Sequence, residues 1–259
     1  SLIQANGNNG PGGAITLQTT QNQVINNAQL QANGSGNGGN IQITTTQGDI
    51  NLQSALIQTN GANGRGGQIG IAATNYTSIE SSTVEASGNT QGGTIKVGYD
   101  AQNQTLPFSI FTNLDANSIL NSSQTNLANT TAGGYIETSG QTINLLSSIN
   151  AGRGGMWLLD PYDIIINSTN AGYINAALNA GTSVTISTTS STNTCGVSDC
   201  TQGGAVGANG DITVSSAISK TTGADASLTL QAARNITVNA NITNSVSYTH
   251  LTLPTTPYV

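Results

Sequence analysis

The sequence predicts an all-β chain folded as a right-handed parallel β-helix, a solenoid with short extra-helical insertions and one short helix near 171–179. Three observations carry this. A unit of 27 residues recurs along the first hundred: LIQANG at 2–7, QLQANG at 29–34, LIQTNG at 56–61 and TVEASG at 83–88. A glycine pair follows each unit (Gly12-Gly13, Gly38-Gly39, Gly66-Gly67, Gly92-Gly93), and an alternating run follows each pair: AITL, NIQI, QIGI, TIKV. A constant period with about three short strands per unit is one coil of a stack, and only stacking buries the inward side chains of such coils. A β-propeller also repeats, but its blades are about 40–45 residues long.

Alternation assigns the faces. Ile3, Leu30, Ile57 and Val84 share one inward phase. Ala5, Ala32, Thr59 and Ala86 lie two residues on, on the same face. Ile25, Leu52 and Ile79 form another row, and Ile15, Ile41, Ile69 and Ile95 head the strands after the glycine pairs. Asn6, Asn33 and Asn60 hold one corner position and are expected to form an amide ladder. Residues 1–97 are therefore regular coils.

The period lapses over 98–132, read as an insertion plus one irregular coil, with LPFSIF as a strand. It resumes at 133–244, beginning with GGYIETSG and a tighter coil. Ile174, Ala177 and Leu178 at helical spacing, with Gly181 beyond them, predict the helix. Strands are expected near 183–188, 211–218, 226–231 and 235–242. Residues 245–259 break the pattern. They hold the only histidine, His250, and read as a non-native appended tail or, alternatively, a terminal strand.

Composition limits function. Charged residues make up 6% of the chain and the net charge is −6, against roughly 25% charged residues in ordinary domains. Solubility must come from neutral polar side chains. Arg65, Lys96, Arg153, Lys220 and Arg234 are scattered singly, so no basic stripe exists for nucleic acid. No apolar run reaches the ~18 residues of a membrane helix.

Candidate chemistry is sparse. With one histidine there is no nucleophile–His–carboxylate set. The stretch GGMWLLDPYDIIIN, 154–167, holds the only Trp, Trp157, and two aspartates. Asp160 and Asp163 are the closest carboxylate pair, with a turn role through Asp-Pro as the plainer reading; they remain the residues to test. Trp157, in a nearly continuous apolar run, suits a core better than a sugar platform. GGAVGANGD at 203–211 lacks the oxygen ligands calcium needs, and zinc fails on ligand count. No catalytic, metal or cofactor residues are assigned. Cys195 and Cys200 in CGVSDC suit a short disulfide loop in an exported protein, with a reduced pair as the alternative. Several Asn-x-Ser/Thr sequons occur, as expected of so Asn- and Thr-rich a chain.

GGTIKVGYDAQNQ, GGYIETSGQTINL, GGMWLLDPYDIIIN and GDITVSSAISKTTGADASLTLQAARNITVNANIT together resemble the repeat region of filamentous haemagglutinin-like exoproteins, the secreted partners of two-partner secretion systems. The resemblance spans roughly residues 1–244. It implies a non-enzymatic adhesin segment, exported to the bacterial cell surface as a rigid β-helical stalk. Its partners would be host-cell or surface glycans and proteins, and an outer-membrane transporter that engages an amino-terminal domain this fragment lacks. A β-helical polysaccharide-active enzyme, or a spacer presenting an effector domain, are the alternatives.

Overall fold

The computed structural model describes residues 1–126, 128, 132–188 and 210–245, together with the backbone of 194–195 and 207–208. The chain is a stack of coils whose strands pair in parallel with the equivalent strands of the coils before and after. Three sheets run along it. Sheet I has six strands: Leu2–Gln4, Gln29–Gln31, Leu56–Gln58, Thr83–Glu85, Ile119–Asn121 and Ser148–Asn150. Sheet II has eight: Ala14–Thr19, Asn40–Thr45, Gln68–Ala73, Thr94–Val97, Tyr135–Ser139, Met156–Asp160, Ser183–Ser187 and Leu228–Gln231. Sheet III has five: Gln23–Asn26, Ile50–Gln53, Tyr76–Glu80, Phe111–Leu114 and Thr142–Leu145.

Register follows the repeat. In sheet I, Ile3, Leu30, Ile57, Val84, Leu120 and Ile149 pair in one row. In sheet II, Ile15, Ile41, Ile69, Ile95, Ile136, Trp157, Val184 and Leu228 do the same. Apart from Ile3, which is exposed where an inward position was expected, these rows meet in one continuous core. A one-residue slip would turn every such row outward, so the hydrophobic pattern locks the register.

The glycine pairs mark where successive coils come closest. A Cβ on Gly38 would lie 1.9 Å from the Thr59 carbonyl oxygen, and one on Gly66 would lie 1.9 Å from that of Ala86. No side chain fits such an approach. The corner asparagines form a ladder of a different kind from side chain to side chain. Oδ1 of Asn6 accepts from the backbone N–H of Asn33 (2.8 Å), Asn33 from that of Asn60 (2.7 Å), and Asn60 from that of Ser87 (2.8 Å). Each amide thus satisfies a corner N–H of the next coil. The outward glutamines do pair by their amides: Gln4 donates to Gln31 (2.7 Å), Gln31 to Gln58 (3.1 Å), and Gln58 to the Glu85 carboxylate (2.9 Å).

Three further sequence expectations need correction. The strand expected in LPFSIF is confined to Phe111–Leu114, because Leu106 packs over Gly70, Pro107 has no N–H for a ladder and the Ser109 N–H donates to the Gly98 carbonyl. The helix spans Ser168–Asn179 rather than 171–179; Asn167 caps it, its Oδ1 accepting from the N–H of Thr169 and Asn170, both at 3.0 Å. The nearly continuous apolar run MWLLD, from which burial on both faces was expected, instead alternates: Met156 is exposed and Leu158 half-buried, while Trp157 and Leu159 are buried.

The helix packs between the last strand of sheet I and the strand Ile218–Lys220, taking the place of a sheet I strand in its coil. Ala171, Ile174, Ala177 and Leu178 face the core. Half-buried asparagines beside this face supply the contacts a strand would have made. Asn175 Oδ1 accepts from Ser219 N–H (2.8 Å), and Asn179 Oδ1 from Thr221 N–H (2.9 Å). Beyond the helix, Ile164–Ile166, Ile212–Val214 and Ile236–Val238 form a parallel three-stranded sheet, and Ile218–Lys220 pairs with Ile242–Asn244.

Candidate functional site

Sheet II presents two outward rows. Asn40, Gln68, Thr94, Tyr135 and Met156 pair in one; Gln42, Gly70, Lys96, Glu137 and Leu158 pair in the other. Among the described residues, an insertion that reshapes this face, residues 98–110, folds over the second row. It leaves the strand Thr94–Val97 at Gly98, whose φ is +85° and whose Cβ would sit 1.9 Å from the Ser139 carbonyl oxygen. It closes where Ser109 N–H donates to the Gly98 carbonyl (2.8 Å). Ser109 Oγ donates to the Ala73 carbonyl (2.8 Å), which ties the returning chain to the sheet beneath.

Charge pins the insertion. The Asp100 carboxylate accepts from Lys96 Nζ, from Asn103 N–H (3.0 Å) and from Thr105 Oγ1 (2.6 Å). Glu137 Oε1 accepts from Ala101 N–H (2.7 Å) and Ser139 Oγ (3.0 Å), and its Oε2 from the Tyr135 hydroxyl (3.1 Å). Leu106 is buried against Gly70, whose missing side chain makes room for it. Phe108 stacks on Tyr162 with ring centres 5.4 Å apart and meets Tyr99 edge-on at 5.3 Å. Tyr162 belongs to the DPYD turn, so that stretch braces the insertion.

Between the insertion and the outward rows lies an open groove of about 590 Å³. Asn40, Gln42, Gln68, Thr94, Lys96 and Tyr135 form its floor; Gln102, Asn103, Thr105 and Leu106 form its wall. Lys96 Nζ lies 5.9 Å from the centre of the Tyr135 ring.

The electrostatics separate the two carboxyls. Burial pushes Asp100 up, but the bonds from Lys96 and Thr105 and the Asn103 amide outweigh it and hold the group well below the usual carboxylate range. Burial dominates at Glu137 and raises it despite the bonds from Ala101, Ser139 and Tyr135. Burial and the neighbouring Glu137 charge push the Tyr135 phenol far up, so it stays protonated as a donor. A raised and a lowered carboxyl beside a lysine is a pattern used for acid–base work. Here both carboxylates are almost wholly shielded from solvent, at 2% and 0% exposure, and their oxygens hold the insertion.

The residues singled out in the sequence take structural positions. Asp160 and Asp163 are both buried. Asp160 ends its strand, and its charge acts on Tyr135. Asp163 Oδ1 accepts from the N–H groups of Gly210 and Asp211, both at 2.7 Å. Because Ile164, Ile212 and Ile236 pair in register, Asp163, Asp211 and Asn235 hold one corner position. Asp211 Oδ1 in turn accepts from Asn235 N–H (3.1 Å). This is the ladder of Asn6, Asn33 and Asn60 again, with carboxylates for amides and Arg234 paired to Asp211. Trp157 is fully buried, and its Nε1 donates to Thr138 Oγ1 (2.9 Å).

Among the described residues, no three His, Cys, Asp or Glu groups gather as a metal site, and no helix is long and apolar enough to cross a membrane. The Cys195–Cys200 pairing and the tail beyond 245 lie outside the described residues. Sequence reasoning missed the constellation of Lys96, Asp100, Tyr135 and Glu137. Its signal was present: three charges fall on the outward side of adjacent coils in a chain nearly free of charge. Comparison of the chain with protein-family models, with curated proteins and with solved structures found no match.

Proposed function

We propose that this chain is a segment of a large exported surface protein of the filamentous haemagglutinin-like kind, a stiff non-enzymatic stalk whose outer faces adhere. The observation that carries the reading is the eight-strand sheet II with its register-locked core and largely neutral, polar outward rows. At about 4.8 Å per coil, eight such rungs extend roughly 34 Å. Repeated weak contacts along a rod add by multivalency. The coils wind right-handed in this reading, as crossovers between parallel strands of one sheet overwhelmingly do. Secretion through an outer-membrane transporter and display at the cell surface follow from the resemblance of the repeats.

One observation favours a second reading, a polysaccharide-active enzyme: two carboxyls of divergent affinity and a lysine beside a groove. Against it stands the engagement of Asp100 and Glu137 by the insertion. Beads coated with the chain, offered to cultured epithelial cells under flow, test the adhesive reading. Saturable retention above albumin-coated beads is expected. Retention equal to albumin would remove the adhesive role.

A further inference from the structure

The groove on sheet II is more specific than a generally sticky surface. We infer that it binds an uncharged oligosaccharide; this rests on the adhesive reading and names the site and ligand class within it. Five features point there. The floor carries Asn40, Gln42 and Gln68, whose amides each offer a donor and an acceptor together, the pairing that a sugar hydroxyl requires. Asn40 and Gln68 pair in register on adjacent strands, about 4.8 Å apart, and Gln42 lies two residues along from Asn40 on the same outward face, so the three amides can meet neighbouring hydroxyls of one chain. Tyr135 lies farther along the same floor, one strand beyond Thr94, half-buried, with an aromatic ring of the kind on which the C–H face of a sugar packs.

Charge sets the class. Lys96 is the one cationic residue lining the groove among those described, and Asp100 pairs with it. Glu137 lies directly behind Tyr135. A sulfated or uronic-acid chain would find no free positive charge and a field already negative, in a chain of net charge −6. A neutral chain loses nothing by this. The wall residues Gln102, Asn103 and Thr105 are exposed, and the insertion that carries them is fastened by Asp100, Glu137 and Leu106. The site is therefore set before a ligand arrives, which lowers the ordering cost of binding.

The test is shift mapping by nuclear magnetic resonance on the intact, isotope-labelled chain. The probes are neutral tetrasaccharides of glucose and of N-acetylglucosamine, with a heparin tetrasaccharide as the anionic counterpart. A neutral tetrasaccharide is expected to move the signals of Gln42, Gln68, Thr94, Gln102 and Tyr135, and heparin to leave them in place. Gln42→Ala and Gln68→Ala sit on outward positions and are expected to weaken binding by about tenfold each, the loss of roughly one net hydrogen bond, with unchanged circular dichroism. Tyr135→Phe, which keeps the ring, should retain the neutral ligand. No shifts with any neutral probe, shifts with heparin alone, or binding indifferent to both glutamine changes would each overturn the inference. Bead adhesion that persists undiminished in the double glutamine variant would sink the groove and leave the adhesive reading intact. Neutral-sugar binding by a chain whose beads do not adhere would support the groove and remove that reading.

Discussion

Replacing Asp163 by alanine and by asparagine separates a corner-ladder role from a chemical one. Asp163 is 4% exposed, and its Oδ1 takes two backbone N–H groups at 2.7 Å. Gly210 N–H has a second acceptor, the Tyr162 carbonyl at 3.0 Å. Asp211 N–H relies on Asp163. Alanine therefore orphans one backbone donor, at a cost of about 1–3 kcal/mol, and weakens a second bond. A loss of about 2 kcal/mol is expected, a fall in urea midpoint of about 1 M. Asparagine keeps the Oδ1 acceptor, as Asn6, Asn33 and Asn60 do elsewhere, and is expected to stay within about 1 kcal/mol of wild type.

The pH profile adds a second readout. Burial lifts the Asp163 carboxyl above its ordinary value, and the Asp211 charge adds to that, against the two backbone amides and Arg234. The folded state thus holds this proton more tightly than the unfolded state. Wild type should gain stability from this group as pH falls through the folded value towards the unfolded value of about 3.9, and Asp163→Asn should lack that gain. Urea unfolding followed by Trp157 fluorescence, with its ring in the core, reports both. An asparagine variant as unstable as the alanine variant would refute the ladder and return Asp163 to the chemical candidates.

Further outcomes follow from the same structure. Gly66→Ala puts a methyl 1.9 Å from the Ala86 carbonyl oxygen and should abolish or severely weaken folding, while Gly172→Ala, in open space on the helix, should raise the unfolding midpoint by about 0.5–1 kcal/mol equivalent. Glu85 is lowered overall: burial raises it, but bonds from Asn60, Gln58, Ser87 and Asn121 prevail. Its contribution should be present above the unfolded value of about 4.3 and lost as pH falls through the folded value, a loss absent in Glu85→Gln, as acid titrations of both proteins would show. Leu106→Ala should release the insertion, seen as faster amide exchange across 99–106, with the core rows unchanged.

The inward rows were legible because a solenoid repeats its burial. Ile41, Ile69 and Ile95 recur at nearly fixed spacing, and each buried residue predicts the next. The glycine pairs were equally plain, since close coil contact tolerates no side chain there. The corner asparagines were placed correctly, but their partners were not: an amide stacked on an amide and an amide capping a backbone N–H need the same residue at the same spacing. The helix start was hidden because its cap, Asn167, stands among many other asparagines. The groove was hidden for a different reason. Asp100 reaches Lys96 within four residues, yet Glu137 reaches Ala101 only because the long step from Thr94 to Tyr135 still returns to register. The repeat does not encode where an insertion folds back.

We propose that Asp100 and Glu137 fasten a binding surface and break no bond. The direct measurement is product release: the intact chain and its Glu137→Gln variant, incubated with neutral and uronic-acid polysaccharides from pH 4 to 9, assayed for new reducing ends and for unsaturated ends. The expected result is no product from either protein at any pH. Turnover by wild type that is lost in Glu137→Gln, with the fold intact by circular dichroism, would contradict the account and make the groove an active site.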